Sequence, residues 1–121
     1  SVTKKNSPLY YYVGSQKEGS LPHDPDGNLG ASMCLSKNII NKIKKKYKKR
    51  YIELKKGDCI IHNPLVVHGS KKNRSQVNRA AFNMSIKSKK AKRYIVGFND
   101  YKKKLRSFLK MKKTPLEQLS L

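Results

Sequence analysis

The chain has 121 residues, 29 Lys and Arg against 7 Asp and Glu, and a formal net charge of +22. That length fits one domain or a piece of a larger one, and no apolar run is long enough to cross a bilayer as a helix. The two cysteines, Cys34 and Cys59, stand too far apart for a zinc knuckle or a CxxC redox pair.

Cys59 sits in an apolar run and reads as a buried, reduced thiol. With no export-type start, this points to a cytoplasmic protein. Only five of the 29 cations are Arg (Arg50, Arg74, Arg79, Arg93 and Arg106), and the lysines occur in nearly every segment. A nucleic-acid binder would gather cations on one face and favour the forked guanidinium. The spread instead describes a solvated surface, with nonspecific polyanion binding at low salt.

Taken in chain order, PLYYYVG at 8–14 is a short β-prone run closed by Gly14. The stretch 14–30, rich in Gly, Pro, Asp and Ser, is a loop with a tight turn at PDG. Ser36 then precedes Ile39, Ile40, Ile43 and Tyr47 at helical spacing, which predicts a short capped helix. RYIEL at 50–54 alternates as a strand, KKGD makes a turn, and CIIHNPLVVH at 59–68 is the next strand, interrupted at Pro64. After the loop 69–78, RAAFNMSIK at 79–87 carries Ala80, Phe82 and Met84 on alternate positions and reads as a third strand. RYIVGF at 93–98 is a further strand. Asn99 then caps a helix with Tyr101, Leu105, Phe108 and Leu109 on one stripe. Four or five strands with two peripheral helices make the class mainly β.

Two histidines and an arginine stand out in GDCIIHNPLVVHGSKKNRSQVNRAAF at 57–82. If strands 58–68 and 79–87 pair as antiparallel neighbours, the end of the first meets the start of the second. His68 could then bind a metal through a neutral ring nitrogen, while Arg79 grips a carboxylate with parallel hydrogen bonds. A small dicarboxylate would bridge them, with the Ser70 hydroxyl on the same carboxylate. His62 reads as a core or pocket-lining residue, Asp58 as a turn former and Asn73 as an organiser of its loop. Tyr10, Tyr11 and Tyr12 alternate, so at least one faces inward, either as core or as pocket lining.

These residues resemble the phytanoyl-CoA dioxygenase family of Fe(II)- and 2-oxoglutarate-dependent dioxygenases. Three ordered segments carry the resemblance: IELKKGDCIIHNPLVVHGS at 52–70, the continuation through Asn73 and Ser75 to Arg79, and TKKNSPLYYYVGSQKEGSLPH at 3–23. The last is similar to a family segment running through Asn-Gly-Pro-Leu to Pro-Gly-Ser-His-Lys. The resemblance implies a double-stranded β-helix (jelly roll, cupin-like) and an iron triad of two histidines and one carboxylate, open for cosubstrate and dioxygen. It makes His68 the distal metal histidine and Arg79 with Ser70 the clamp for the remote carboxylate of 2-oxoglutarate. The reaction implied is hydroxylation of a small organic or lipid-like substrate, coupled to decarboxylation of the cosubstrate to succinate.

The family's His-x-Asp metal motif is absent, since HDPD at 23–26 has Pro25 where the aspartate belongs and lies downstream of where the motif should be. Gln16 stands where the family often has His. The expectation is therefore a C-terminal portion of such an enzyme, inactive alone, with residues 1–98 in the β-helix domain and 99–121 as helix and tail. The competing readings are a basic nucleic-acid-binding module, a cupin-like binding domain without chemistry, and a halogenase-like relative.

Overall fold

The computed structural model describes residues 1–25, 33–92 and 95–111. In chain order the elements are β1 (Tyr10–Tyr12), β2 (His23–Pro25), β3 (Met33–Leu35), α1 (Lys37–Lys46), β4 (Lys49–Tyr51), β5 (His68–Gly69) and α2 (Ile95–Met111). Single 3-10 turns lie at Lys4–Asn6 and Ser15–Glu18. They fall into two units, one of Ser1–Leu21 with Lys37–Met84, the other of Pro22–Ser36 with Ser85–Leu121. Small antiparallel sheets with two helices agree with the mainly β class. The tight turn expected at PDG and the tail 112–121 lie outside the described residues.

In the first unit β1 is the middle strand of an antiparallel sheet ordered β4-β1-β5. Tyr10 lies opposite both Tyr51 and Gly69, Tyr11 opposite Arg50 and His68, and Tyr12 opposite Lys49. Side chains alternate across a strand, so Tyr10, Tyr12, Tyr51 and Lys49 share one face, and Tyr11 and His68 share the other. On the first face the Lys49 ammonium lies 3.7 Å from the Tyr10 ring centre and 4.9 Å from that of Tyr51, a cation–π arrangement. Tyr11 and Tyr12, on opposite faces of this central strand, are both buried. The antiparallel run continues beyond β1 through the Val2–Leu54 bridge.

Helix α1 buries Ile43. Tyr47, just past its end, lies against Gly14, whose positive φ of 92° suits a residue without a Cβ. Glu18 on the 3-10 turn accepts from Lys46 Nζ at 2.6 Å and from the Tyr47 hydroxyl. These bonds hold the carboxyl of Glu18 below its ordinary range.

Three expectations for this unit change. Residues 59–67 form no ladder. Asn63 accepts from the Leu65 amide (2.9 Å), and its carbonyl accepts from the Val66 amide (3.1 Å), so Asn63-Pro64 builds a turn where a strand was read. Only His68 and Gly69 pair, and their partner is β1 rather than residues 79–87. Those residues form no strand in the structure, and Phe82, expected to pack, is 92% exposed. With 59–67 turned away, the ladder that would have held them has no edge on that side. Cys59, expected to be buried, is exposed.

In the second unit β2, in a stretch read as loop, pairs antiparallel with β3, His23 opposite Leu35 and Asp24 opposite Cys34. Helix α2 lies against β2 and buries Leu105 and Leu109, spaced one turn apart. Lys104 Nζ sits 3.5 Å from Asp24. The helix begins at Ile95 instead of Asn99, so the described part of RYIVGF is helical. The apolar stripe of period 3.6 already includes Phe98, ahead of Tyr101 and Leu105, and this outweighs the β-prone composition.

Candidate functional site

His68 is placed by contacts made to the residue before it. The Val67 amide donates to the hydroxyl of Ser15 (2.8 Å), which is fully buried, and the Val67 carbonyl accepts from the Tyr12 amide (2.9 Å). The backbone leading into His68 is thus tied both to β1 and to the turn after it. The imidazole itself is exposed, and its Nδ1 lies 2.9 Å from the Val66 carbonyl oxygen. A carbonyl can only accept, so Nδ1 carries the proton. In the neutral ring Nε2 is then left with its lone pair, the form in which imidazole ligates a metal.

Tyr11 backs this ring. Its ring is stacked on His68 at 5.6 Å between centres and 26° between planes, and it meets His62 at 5.3 Å. The turn at Asn63-Pro64 carries His62 back towards His68, with ring centres 5.0 Å apart. Tyr11 is 7% exposed, and its hydroxyl is buried without a hydrogen-bond partner among the described residues. Burial raises the pKa of this phenol, so it is a neutral O–H, able to donate.

Arg79 is half-buried. Its Nη1 donates to the Ser7 carbonyl and its Nη2 lies 3.4 Å from the Ser70 hydroxyl oxygen. Ser7 has a φ of 61°, the left-handed region that non-glycine residues seldom adopt, and its hydroxyl donates to the Lys72 carbonyl (2.9 Å). Between Ser70 and Arg79 the loop is internally braced. Asn73 Oδ1 accepts from the amide and hydroxyl of Ser75, and Asn73 Nδ2 donates to the Val77 carbonyl (2.8 Å). That is the local role expected of Asn73. Asp58 likewise closes its turn by accepting from the Lys55 amide at 2.8 Å.

His68 and Ser70 therefore stand on one short segment, and Arg79 reaches that segment through Ser70. Three contributors were not singled out from the sequence: Ser15, Ser7 and, as the backing of His68, Tyr11 in particular. The signal for Ser15 was its place in Gly-Ser directly after a strand. Ser7 stands where the resembled segment has glycine, the residue that best tolerates its backbone angle.

A second feature lies in the other unit, where Asn99, Lys102, Lys103, Arg106, Ser107 and Lys110 line a shallow groove of about 350 Å³ along α2. Among the described residues no group of three or more His, Cys, Asp or Glu is placed to hold a metal ion, and no helix is long and apolar enough to cross a membrane.

Residues 1–81 match the model of a family of oxygenases, a span that takes in every residue described around His68. The chain belongs to the phytanoyl-CoA dioxygenase (PhyH) family. No curated protein and no solved structure matches it.

Proposed function

We propose that this chain supplies one metal-ligating histidine and the cosubstrate carboxylate clamp of an Fe(II)- and 2-oxoglutarate-dependent dioxygenase of double-stranded β-helix architecture. The observation that carries the reading is the Arg79–Ser70 contact two residues from His68. Guanidinium has five N–H donors. Two are directed at Ser7 and Ser70, which fixes the plane of the fork and leaves the others for a carboxylate. Ser70 Oγ faces Arg79 as an acceptor, so its own proton is free for the same anion. His68 offers Nε2, held in orientation by the Val66 carbonyl in the manner of an outer-shell partner.

The diacid part of the site fits these residues. The metal part is incomplete among them, because the described residues contribute no three-ligand cluster. When bound, iron would supply dioxygen activation and oxidation of a small-molecule C–H bond. The chain's own residues bind and orient: Arg79 neutralises and positions the far carboxylate, and Ser70 adds a donor.

The test is made in the complete natural protein. His68→Ala should lose iron and 2-oxoglutarate turnover, and Arg79→Ala should lose turnover while keeping iron. Undiminished turnover in both variants would end the proposal.

A further inference from the structure

We propose that the phenol of Tyr11 is a ligand-contacting group of this site, donating a hydrogen bond to the carboxylate-bearing molecule bound beside His68. This rests on the diacid reading above and adds a residue to it.

The argument begins with what phenylalanine would do at the same position. The ring of Tyr11 supplies the stacking on His68 and the contact with His62, and phenylalanine would supply both equally. The hydroxyl adds to neither. It is buried with no partner among the described residues, and leaving a buried O–H unsatisfied is costly. A buried polar atom of this kind calls for a partner from outside the chain's own packing.

Its location says what that partner is. Tyr11 pairs with His68 across the β1–β5 ladder and presents its ring on the same face. A molecule approaching Nε2 of the exposed imidazole thus meets the neighbourhood of Tyr11. Arg79, which reaches Ser70 two residues from His68, favours an anion there. A neutral phenol is a donor to a carboxylate oxygen, and such a charge-assisted bond is stronger than a neutral one. The cover over Tyr11 includes His62, an exposed side chain bonded locally to the Asn63 carbonyl at 3.2 Å. Because His62 is exposed and bonded only to its neighbour's carbonyl, its side chain is one part of that cover that can move without breaking the sheet.

The test compares Tyr11→Phe with wild type in the complete natural protein, titrating 2-oxoglutarate calorimetrically with manganese(II) as a non-turnover metal. Binding should weaken about tenfold, the scale of one hydrogen bond to a charged group. The ligand-free thermal midpoint should stay the same or rise. As a second readout, the near-ultraviolet tyrosine band should shift to the red on adding 2-oxoglutarate, and Tyr11→Phe should lose that component. Affinity within about twofold of wild type, with no lost spectral component, overturns the inference. Arg79→Ala run in parallel separates the two failures. If it abolishes binding while Tyr11→Phe does not, only the phenol's role falls. If neither variant affects binding, the diacid reading falls and takes this one with it.

Discussion

The guanidinium of Arg79 donates to the backbone carbonyl of Ser7, 72 residues earlier in the chain. Arg79 is anchored to the run that leads into β1, the strand whose Tyr11 backs His68. Both candidate groups are therefore referenced to one strand, although they come from a different part of the sequence.

The first prediction concerns that anchor. Arg79→Lys keeps the charge and loses the fork, because a single ammonium cannot reproduce the directed bonds to Ser7 and Ser70 and still hold a carboxylate side-on. Calorimetric titration should show 2-oxoglutarate affinity falling about tenfold or more. An affinity equal to wild type would mean that charge alone is used there.

Ser15→Ala removes the acceptor of the Val67 amide inside a fully buried site. The stranded N–H should lower stability by about 1–3 kcal/mol, measured by denaturant unfolding. The same change should weaken metal retention at His68, since Val67 is its immediate neighbour. Stability within experimental error of wild type would show that another group takes over the amide.

Gly69→Ala tests the crossing of Tyr10 over β5. A Cβ there would lie 2.8 Å from the Tyr10 hydroxyl oxygen and 3.0 Å from the ring carbon that bears it, so the ring must move off its place beside Lys49. A loss of about 1–3 kcal/mol is expected for such overpacking. Tyr10→Phe, which removes the nearer atom, should recover part of it. A double-mutant cycle without coupling would contradict the contact.

Glu18 carries a pH prediction. Its carboxyl is held below the usual value of 4.5 by hydrogen bonds from Lys46 and Tyr47. A group depressed in the folded state adds stability that is present above its unfolded pKa and is lost as pH falls through the folded one. Glu18→Gln should therefore lower the thermal midpoint at neutral pH, and the difference from wild type should shrink on acidification below about 4.5. A gap that stays constant with pH would remove the ion pair as its cause.

What could be read ahead of the structure was local. The turn at Asp58 and the loop role of Asn73 follow from short-range spacing, and helix α1 follows from its 3.6 period, whereas the closeness of Ser70 to Arg79 was expected from a strand pairing that does not form. What could not be read was the choice of partner. His68 pairs with Tyr11, not with the segment around Phe82, because the side chain and backbone of Asn63 build a turn that removes most of the expected strand. Pro64 flagged the break without saying which edge would be used. The orphaned hydroxyl of Tyr11 was equally out of reach, since alternation predicts burial of the ring and is silent about hydrogen bonding.

The position of these anchors has a consequence for how the site can be lost. Ser7, Tyr11, Tyr12 and Ser15 all fall within nine consecutive residues, and between them they hold Arg79, His68 and the approach to His68. A single protease nick in that short ribbon would release the imidazole arm and the guanidinium arm together. The site should therefore disappear as one piece.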